Sequence, residues 1–83
     1  MELSAGDMAE TKCWTPAGLI EGRERGPHFL FHLDEGVVLL VTMVKSVRNQ
    51  SFRMCICYDA ETGKRYNISE GFLRRIDTRT VEG

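Results

Sequence analysis

The chain has 83 residues, of which 42% are hydrophobic and 28% are charged, and its formal net charge is −1. This length allows one domain and excludes folds that need about 200 residues, such as the TIM barrel. The composition is that of an average soluble domain and argues against wholesale disorder, while the small core favours added stabilisation by a partner or by self-association.

Residues 1–12 are polar and small, and we expect a flexible N-terminal arm there. They contain no apolar stretch of the kind found in signal peptides. The longest apolar run, residues 37–41, is far shorter than the ~20 residues of a transmembrane helix, so we expect no membrane association. The three cysteines, Cys13, Cys55 and Cys57, form no disulfide framework, and a reducing cytoplasm is the expected location.

The segment after the arm begins with Cys13 and Trp14, and Pro16 and Gly18 then predict an interruption of regular structure. Residues 21–27 contain two glycines, one proline and four charged side chains, which is typical of a loop. Such loops tolerate variation and often carry function, so this loop is a candidate contact region.

The central part of the chain, residues 28–68, predicts an antiparallel meander of four strands joined by three short turns. The predicted strands span residues 28–33, 37–47, 52–59 and 65–68. The last turn, over residues 59–64, favours a type I turn closed by Gly63 in the left-handed region.

Alternation assigns a face to each side chain of the last two predicted strands. The residues expected to face the core are Phe52, Met54, Ile56 and Tyr58, followed on the next strand by Tyr66 and Ile68. Cys55 and Cys57 would then lie on the second face as small, half-buried residues.

Residues 67–77 close the predicted domain. Ser69 is placed to cap one helical turn through Gly71, and Phe72 then begins a short strand that ends at Ile76. This order resembles the end of SH3-like barrels, in which a short 3₁₀ turn precedes a brief apolar strand with basic residues. The resemblance covers about eleven residues.

The resemblance implies an all-β fold, a small antiparallel five-stranded barrel or strongly bent sheet that is SH3-like or Sm-like. We predict one domain over residues 13–77, preceded by the arm at residues 1–12 and followed by a C-terminal tail at residues 78–83. The chain lacks the ALYDY-type segment and paired tryptophans of SH3 domains that bind proline-rich peptides, so the resemblance does not imply that activity.

Residues 37–44 are apolar on both faces, which is unusual for an antiparallel strand with one face in water. The second face would be covered by the segment around Trp14, by curling of the strand, or by another subunit. Each uncovered side chain forgoes ~1.5–3 kcal/mol of burial, so a bare strand would be prone to aggregation. The candidate interface for self-association consists of Val38, Leu40 and Val44.

Two pairs of metal-ligating side chains occur at strand spacing, His28 with His32 and Cys55 with Cys57. If their strands were neighbours, the four side chains would form a Cys₂His₂ zinc site. A C-x-C pair on an extended strand holds its sulfurs ~7 Å apart, however, whereas structural zinc sites take cysteines from tighter C-x₂₋₄-C turns. We therefore expect no cofactor and keep a metal site as a minor alternative.

Catalysis is not expected from this sequence. It contains no G-x-S-x-G, H-E-x-x-H or C-x-x-C motif, and no cysteine can be placed beside a general base. The glycines of residues 22–26 enclose charged side chains and precede a predicted strand, whereas phosphate-binding loops precede a helix.

Charge is distributed unevenly along the chain. Residues 1–36 carry three basic and seven acidic groups, net −4, and residues 37–83 carry eight basic and five acidic groups, net +3. The basic half also contains interleaved aromatic residues, an arrangement used by small barrels that bind nucleic acid. The candidate nucleic-acid surface consists of Arg48, Arg53, Lys64, Arg65, Arg74 and Arg75.

Protein binding is the function that these features favour. Small barrels without catalytic groups often act as adaptors or inhibitors through a sheet edge or the loops at one end. The candidate contact residues are Trp14, Arg23, Arg25 and His28. We predict a non-enzymatic module whose partner is a protein or a second copy of itself, with nucleic acid as the alternative partner.

Overall fold

The computed structural model describes residues 3–20, 29–48 and 51–76. These residues form one antiparallel sheet of seven strands that curls into an open half-barrel. The strands are β1 (Met8–Thr11), β2 (Thr15–Ile20), β3 (Phe29–Leu33), β4 (Val38–Ser46), β5 (Arg53–Asp59), β6 (Lys64–Ser69) and β7 (Leu73–Ile76), with a 3₁₀ turn, η1 (Glu70–Phe72), before β7. The predicted all-β class is confirmed, and no helix in the described ranges is long and apolar enough to cross a membrane.

The strand order is β3-β2-β6-β5-β4-β1-β7. Strands β4, β5 and β6 form the predicted consecutive hairpins, but β3 pairs with β2 and not with β4, so the four-strand meander is wrong at its first connection. Strand β2 is not evident from the sequence, because Pro16 and Gly18 suggest an interruption of regular structure. Pro16 is accommodated because β6 pairs with β2 only over Gly18–Ile20, which leaves β2 one neighbour at the proline.

The N-terminal segment also differs from the expected arm. Met8–Thr11 is β1, which lies between β4 and β7 and pairs with both, and Leu3 is buried. The buried positions of β1 are the small residues Ala9 and Thr11, so its core-facing positions lack the large apolar side chains that reveal a strand in a sequence. The expected loop at residues 21–27 and the tail at residues 78–83 lie outside the described residues.

The core lies on the inner face of the curled sheet. Its buried side chains include Ala17, Leu19, Leu39, Val41, Cys55, Cys57, Tyr66, Ile68 and Leu73. The expected core positions of Tyr66 and Ile68 are confirmed.

The predicted core face of β5 is wrong. Cys55 and Cys57 point inward, whereas Tyr58 is exposed on the outer face. The register explains the choice, because Cys55 lies opposite Ile68 and Cys57 opposite Tyr66. Small cysteine side chains pack beside the large side chains of β6 and fill the narrow interior of the curled sheet. The alternation of residues along β5 does not indicate which of its two faces fits that interior.

A β-bulge in β4 changes the face that the later residues of this strand occupy, while the apolar residues before it alternate between the inner and the outer face. The register with β5 shifts between Val41 and Met43, so side chains after the bulge change face. Of the three candidate interface residues, Val38 and Leu40 lie on the outer face, while Val44 lies opposite Cys55 and packs against the core.

The turn between β5 and β6 forms as predicted. Gly63 has φ 75° and donates its backbone N–H to the Asp59 carbonyl at 2.7 Å. The Asp59 side chain accepts a hydrogen bond from the Glu61 N–H at 3.0 Å, which explains why this acidic residue is buried.

Thr11 attaches the β3–β4 turn to β1. Its fully buried hydroxyl donates to the Asp34 carbonyl at 2.7 Å and accepts from the Val37 N–H at 2.9 Å. Its backbone accepts from the Gly36 N–H at 2.9 Å and donates to the Val37 carbonyl at 3.1 Å. One buried side chain thus satisfies polar groups of a distant turn.

We expect Thr11→Val to lower the free energy of unfolding by about 1–3 kcal/mol, because the isosteric side chain leaves the Asp34 carbonyl and the Val37 N–H without their partly buried hydrogen bonds. Urea denaturation of both proteins measures the change. The matched control is Thr42→Val, since the exposed Thr42 hydroxyl makes one bond, to the Ile56 carbonyl at 3.0 Å. Equal losses in the two variants would contradict the role of Thr11.

Candidate functional site

A cluster of apolar and aromatic side chains lies on the outer face where β2 meets β3. This outer patch consists of Trp14, Pro16, Leu30 and His32. Trp14 is 64% exposed, and its ring stacks on His32 with the centroids 3.9 Å apart and the planes 12° apart. Leu30 is 65% exposed. The β2–β3 register aligns Pro16 with His32, so the patch presents an ordered apolar surface.

A groove of about 320 Å³ continues from the outer patch. Its lining residues are Pro16, Gly18, Leu30, Met54, Asn67, Ser69 and Phe72. The β2–β6 register places Gly18 opposite Asn67, and the absent glycine side chain opens the groove above the amide. The Asn67 Oδ1 atom is buried and has no hydrogen-bond partner among the described residues. An unpaired buried acceptor is costly, so a hydrogen-bond donor that reached this atom would be favourable.

The outer patch contains part of the predicted protein-contact set. Trp14 lies in it, whereas Arg23, Arg25 and His28 lie outside the described residues. Sequence reasoning missed Leu30 and Asn67. The alternation of Phe29–Leu33 was the available signal, since it places Leu30 on the face opposite Phe31.

A second cavity, of about 470 Å³, lies along β7, the last strand of the order. We call it the edge cavity, and its lining residues are Leu3, Lys12, Ser51, Phe52, Glu70, Gly71, Leu73, Arg74 and Arg75. The structure brings Arg74 and Arg75 of the candidate nucleic-acid surface together here.

The other basic candidates do not join that cavity as free charges. Arg53 is held by Glu70, and Arg48 is exposed elsewhere on the chain. Lys64 and Arg65 lie on β6 at the β5–β6 turn, where the Lys64 ammonium is 5.9 Å from the Phe31 ring centre. The six residues therefore form no single continuous stripe.

The wall of the edge cavity contains a clamp made by Arg53, Glu70 and the backbone of Leu3. Arg53 donates from Nη2 to Glu70 Oε2 at 2.6 Å and from Nε to Oε1 at 3.1 Å. Leu3 donates its N–H to Glu70 at 2.9 Å, and its carbonyl accepts from Arg53 at 2.8 Å. The hydrogen bonds from the Arg53 side chain hold the pKa of Glu70 below its usual range.

The thiols of β5 are unsuited to metal binding or nucleophilic attack. Burial raises the pKa of Cys55 to about 11 and that of Cys57 to about 12, so both stay protonated at neutral pH. His32 is exposed against Trp14, on the face opposite these thiols, so the proposed Cys₂His₂ arrangement is wrong for His32. His28 lies outside the described residues, within which no cluster of three or more potential metal ligands occurs.

Comparison of this chain with protein-family models, with curated proteins and with solved structures finds no match. The function proposed for the chain therefore rests on its own geometry.

We expect one thiol of the folded protein, Cys13, to react with iodoacetamide, because Cys55 and Cys57 are buried and protonated. All three thiols should react after denaturation. Intact mass spectrometry counts the labels, and Cys13→Ser should abolish labelling of the folded protein. Rapid modification of Cys55 or Cys57 in the folded state would contradict their burial.

We expect Glu70→Gln to lower the free energy of unfolding by about 1.5–3 kcal/mol, the range for hydrogen bonds to charged groups. The folded-state pKa of Glu70 is lowered, so its contribution is complete above the ordinary glutamate pKa of about 4.3 and is lost as pH falls through the lowered value. Urea denaturation across this acid range should show a shallower decline for the variant.

The matched control for that experiment is Glu10→Gln. Glu10 pairs with Arg74 at 2.9 Å, but the Arg74 side chain is 52% exposed, so we expect a loss below about 1 kcal/mol. An unchanged acid profile in Glu70→Gln, or equal losses in both variants, would contradict the clamp.

Proposed function

We propose that this chain is a small non-catalytic module that binds a protein partner through the outer patch and the groove beside it. The observation that carries the proposal is the exposed Trp14 ring, held flat against His32. Tryptophan is enriched among the residues that dominate binding energy at interfaces. A stacked ring also loses little conformational freedom on binding, which favours affinity.

The composition of the outer face supports the same proposal. The outer face of an antiparallel sheet in water is normally polar. Here Val38 is 49% exposed and Met43 is 48% exposed, in addition to Leu30 and Trp14. Clustered exposed apolar side chains, such as Trp14 and Leu30 of the outer patch, are typical of interaction sites.

The groove indicates what the partner supplies. Its floor is apolar, and its buried Asn67 Oδ1 atom lacks a donor within the described part of the chain. A partner segment that inserts an apolar side chain and directs an N–H toward Asn67 fits both features. The groove therefore favours a peptide segment of a protein partner.

A catalytic function is not part of the proposal, because Cys55 and Cys57 are buried and protonated. The SH3-like or Sm-like assignment remains part of it, supported by the order of β6, η1 and β7. A cytoplasmic location fits three free thiols, Cys13, Cys55 and Cys57.

A nucleic-acid surface built from all six basic candidates is less favoured. Arg53 and Arg74 each pair with a carboxylate, and Lys64 and Arg65 lie at a separate hairpin. These ion pairs and this separation dilute the positive field that such a surface needs.

The proposal is tested by affinity capture with the wild-type chain, Trp14→Ala and Tyr58→Ala, followed by binding measurements on each purified partner. Trp14 is the one tryptophan of the chain, so its fluorescence reports binding directly. We expect Trp14→Ala to weaken affinity by about 2 kcal/mol or more, the size of an interface hot spot. Tyr58→Ala, a control on the same face, should change it little.

Sedimentation distinguishes the kinds of partner. A single 9.4 kDa species at high micromolar concentration indicates a different protein as partner, whereas a larger species that dissociates in Trp14→Ala indicates a second copy. A folded Trp14→Ala protein that binds every recovered partner as tightly as wild type would overturn the proposal.

A further inference from the structure

The edge cavity combines positive charge with an exposed aromatic ring. Three of its lining residues are basic, namely Lys12, Arg74 and Arg75, and one is acidic, Glu70. The clamp occupies the Glu70 carboxylate with Arg53 and the Leu3 N–H, so its charge is compensated. The cavity is therefore electropositive overall.

Two of the basic side chains retain uncompensated charge. Arg74 pairs with Glu10 at 2.9 Å, but neither Lys12 nor Arg75 forms an ion pair within residues 3–20, 29–48 and 51–76. Both side chains are exposed, which leaves their donors available to a bound anion.

The backbone of β7 adds a donor beside these charges. The Lys12 N–H donates to the Phe72 carbonyl, which makes these two residues a hydrogen-bonded pair of the β1–β7 ladder. Hydrogen-bonded and non-hydrogen-bonded pairs alternate, so the N–H and carbonyl of Arg75 point away from β1. No described strand pairs with β7 on that side, so no ladder hydrogen bond to a described strand occupies the Arg75 N–H.

The aromatic component is Phe52, which is 41% exposed and lines the same cavity. Planar rings stack on such side chains, and each stacked nucleobase contributes measurably to affinity. The cavity volume, about 470 Å³, lies within the range of about 300–1,000 Å³ that is typical of small-molecule sites.

We infer that the edge cavity binds a nucleotide, either free or within a single strand. Lys12 and Arg75 hold the phosphate, and Phe52 stacks on the base. The inference is independent of the outer patch, because the two sites share no lining residue.

The test is an NMR titration of the isotope-labelled chain with three probes: AMP, a single-stranded octanucleotide and inorganic phosphate. We expect AMP to shift the amide signals of Lys12, Gly71 and Arg75. A free nucleotide as ligand predicts that AMP binds at least as tightly as the octanucleotide. A strand as ligand predicts tighter binding of the octanucleotide, with an affinity that falls steeply with salt.

Variants test the two halves of the site separately. Arg75→Ala should weaken AMP binding about tenfold through the lost charged contact, and Phe52→Ala should weaken it about fivefold or more through the lost stacking. The matched control is Arg65→Ala, an exposed arginine at the β5–β6 hairpin, which should leave AMP binding unchanged.

Four results would overturn the inference. The first is the absence of shifts with AMP and the octanucleotide up to about 10 mM ligand. The second is a set of shifts centred on the outer patch instead of the edge cavity. The third is equal affinity for phosphate and AMP together with unchanged binding by Phe52→Ala, which would reduce the site to a simple anion site. The fourth is an equal loss in Arg65→Ala and Arg75→Ala.

Discussion

The clamp between Arg53, Glu70 and Leu3 is the interaction on which this small fold depends most. It holds both backbone groups of Leu3 within 3 Å of charged side chains, and so attaches the N-terminal segment to β5 and η1. That attachment leads the chain into β1, and β1 is the strand that connects β7 to the rest of the sheet. The same clamp compensates the charge of Glu70 and leaves the edge cavity electropositive. One ion pair therefore serves both the fold and a candidate site.

Sequence reasoning succeeded where structure depends on neighbours in the chain. The β5–β6 hairpin follows from Asp59 and Gly63, whose turn geometry is local, and Tyr66 and Ile68 face the core as alternation predicts. It failed where a strand depends on distant partners. Met8–Thr11 is a strand because β4 and β7 lie on either side of it, and its core-facing residues, Ala9 and Thr11, are too small to signal that environment in the sequence.

The candidate sites show the same division. Trp14 stands out in the sequence as a lone tryptophan, but its stacking on His32 requires the β2–β3 pairing that the predicted meander omitted. Glu70 and Arg53 are 17 residues apart and meet through the β5–β6 hairpin. The ion pair that engages Arg53, and so makes it a poor member of a nucleic-acid surface, is therefore evident only from the structure. The orphaned Asn67 oxygen has no sequence signal, because hydrogen-bond satisfaction is a property of the packed state.

The open sheet explains why both candidate sites occur at its margins. Strands β3 and β7 end the strand order, and each has a pairing partner on one side only among the described strands. The core of this small domain covers the inner face of the sheet, but few residues remain to cover its edges. Apolar side chains and backbone polar groups at the edges therefore stay available for binding. The turn η1 lies between the two sites, since Phe72 lines the groove while Glu70 and Gly71 line the edge cavity. A turn of three residues thus separates an apolar site from an electropositive one, because the clamp fixes its first residue and β7 fixes the chain that follows it.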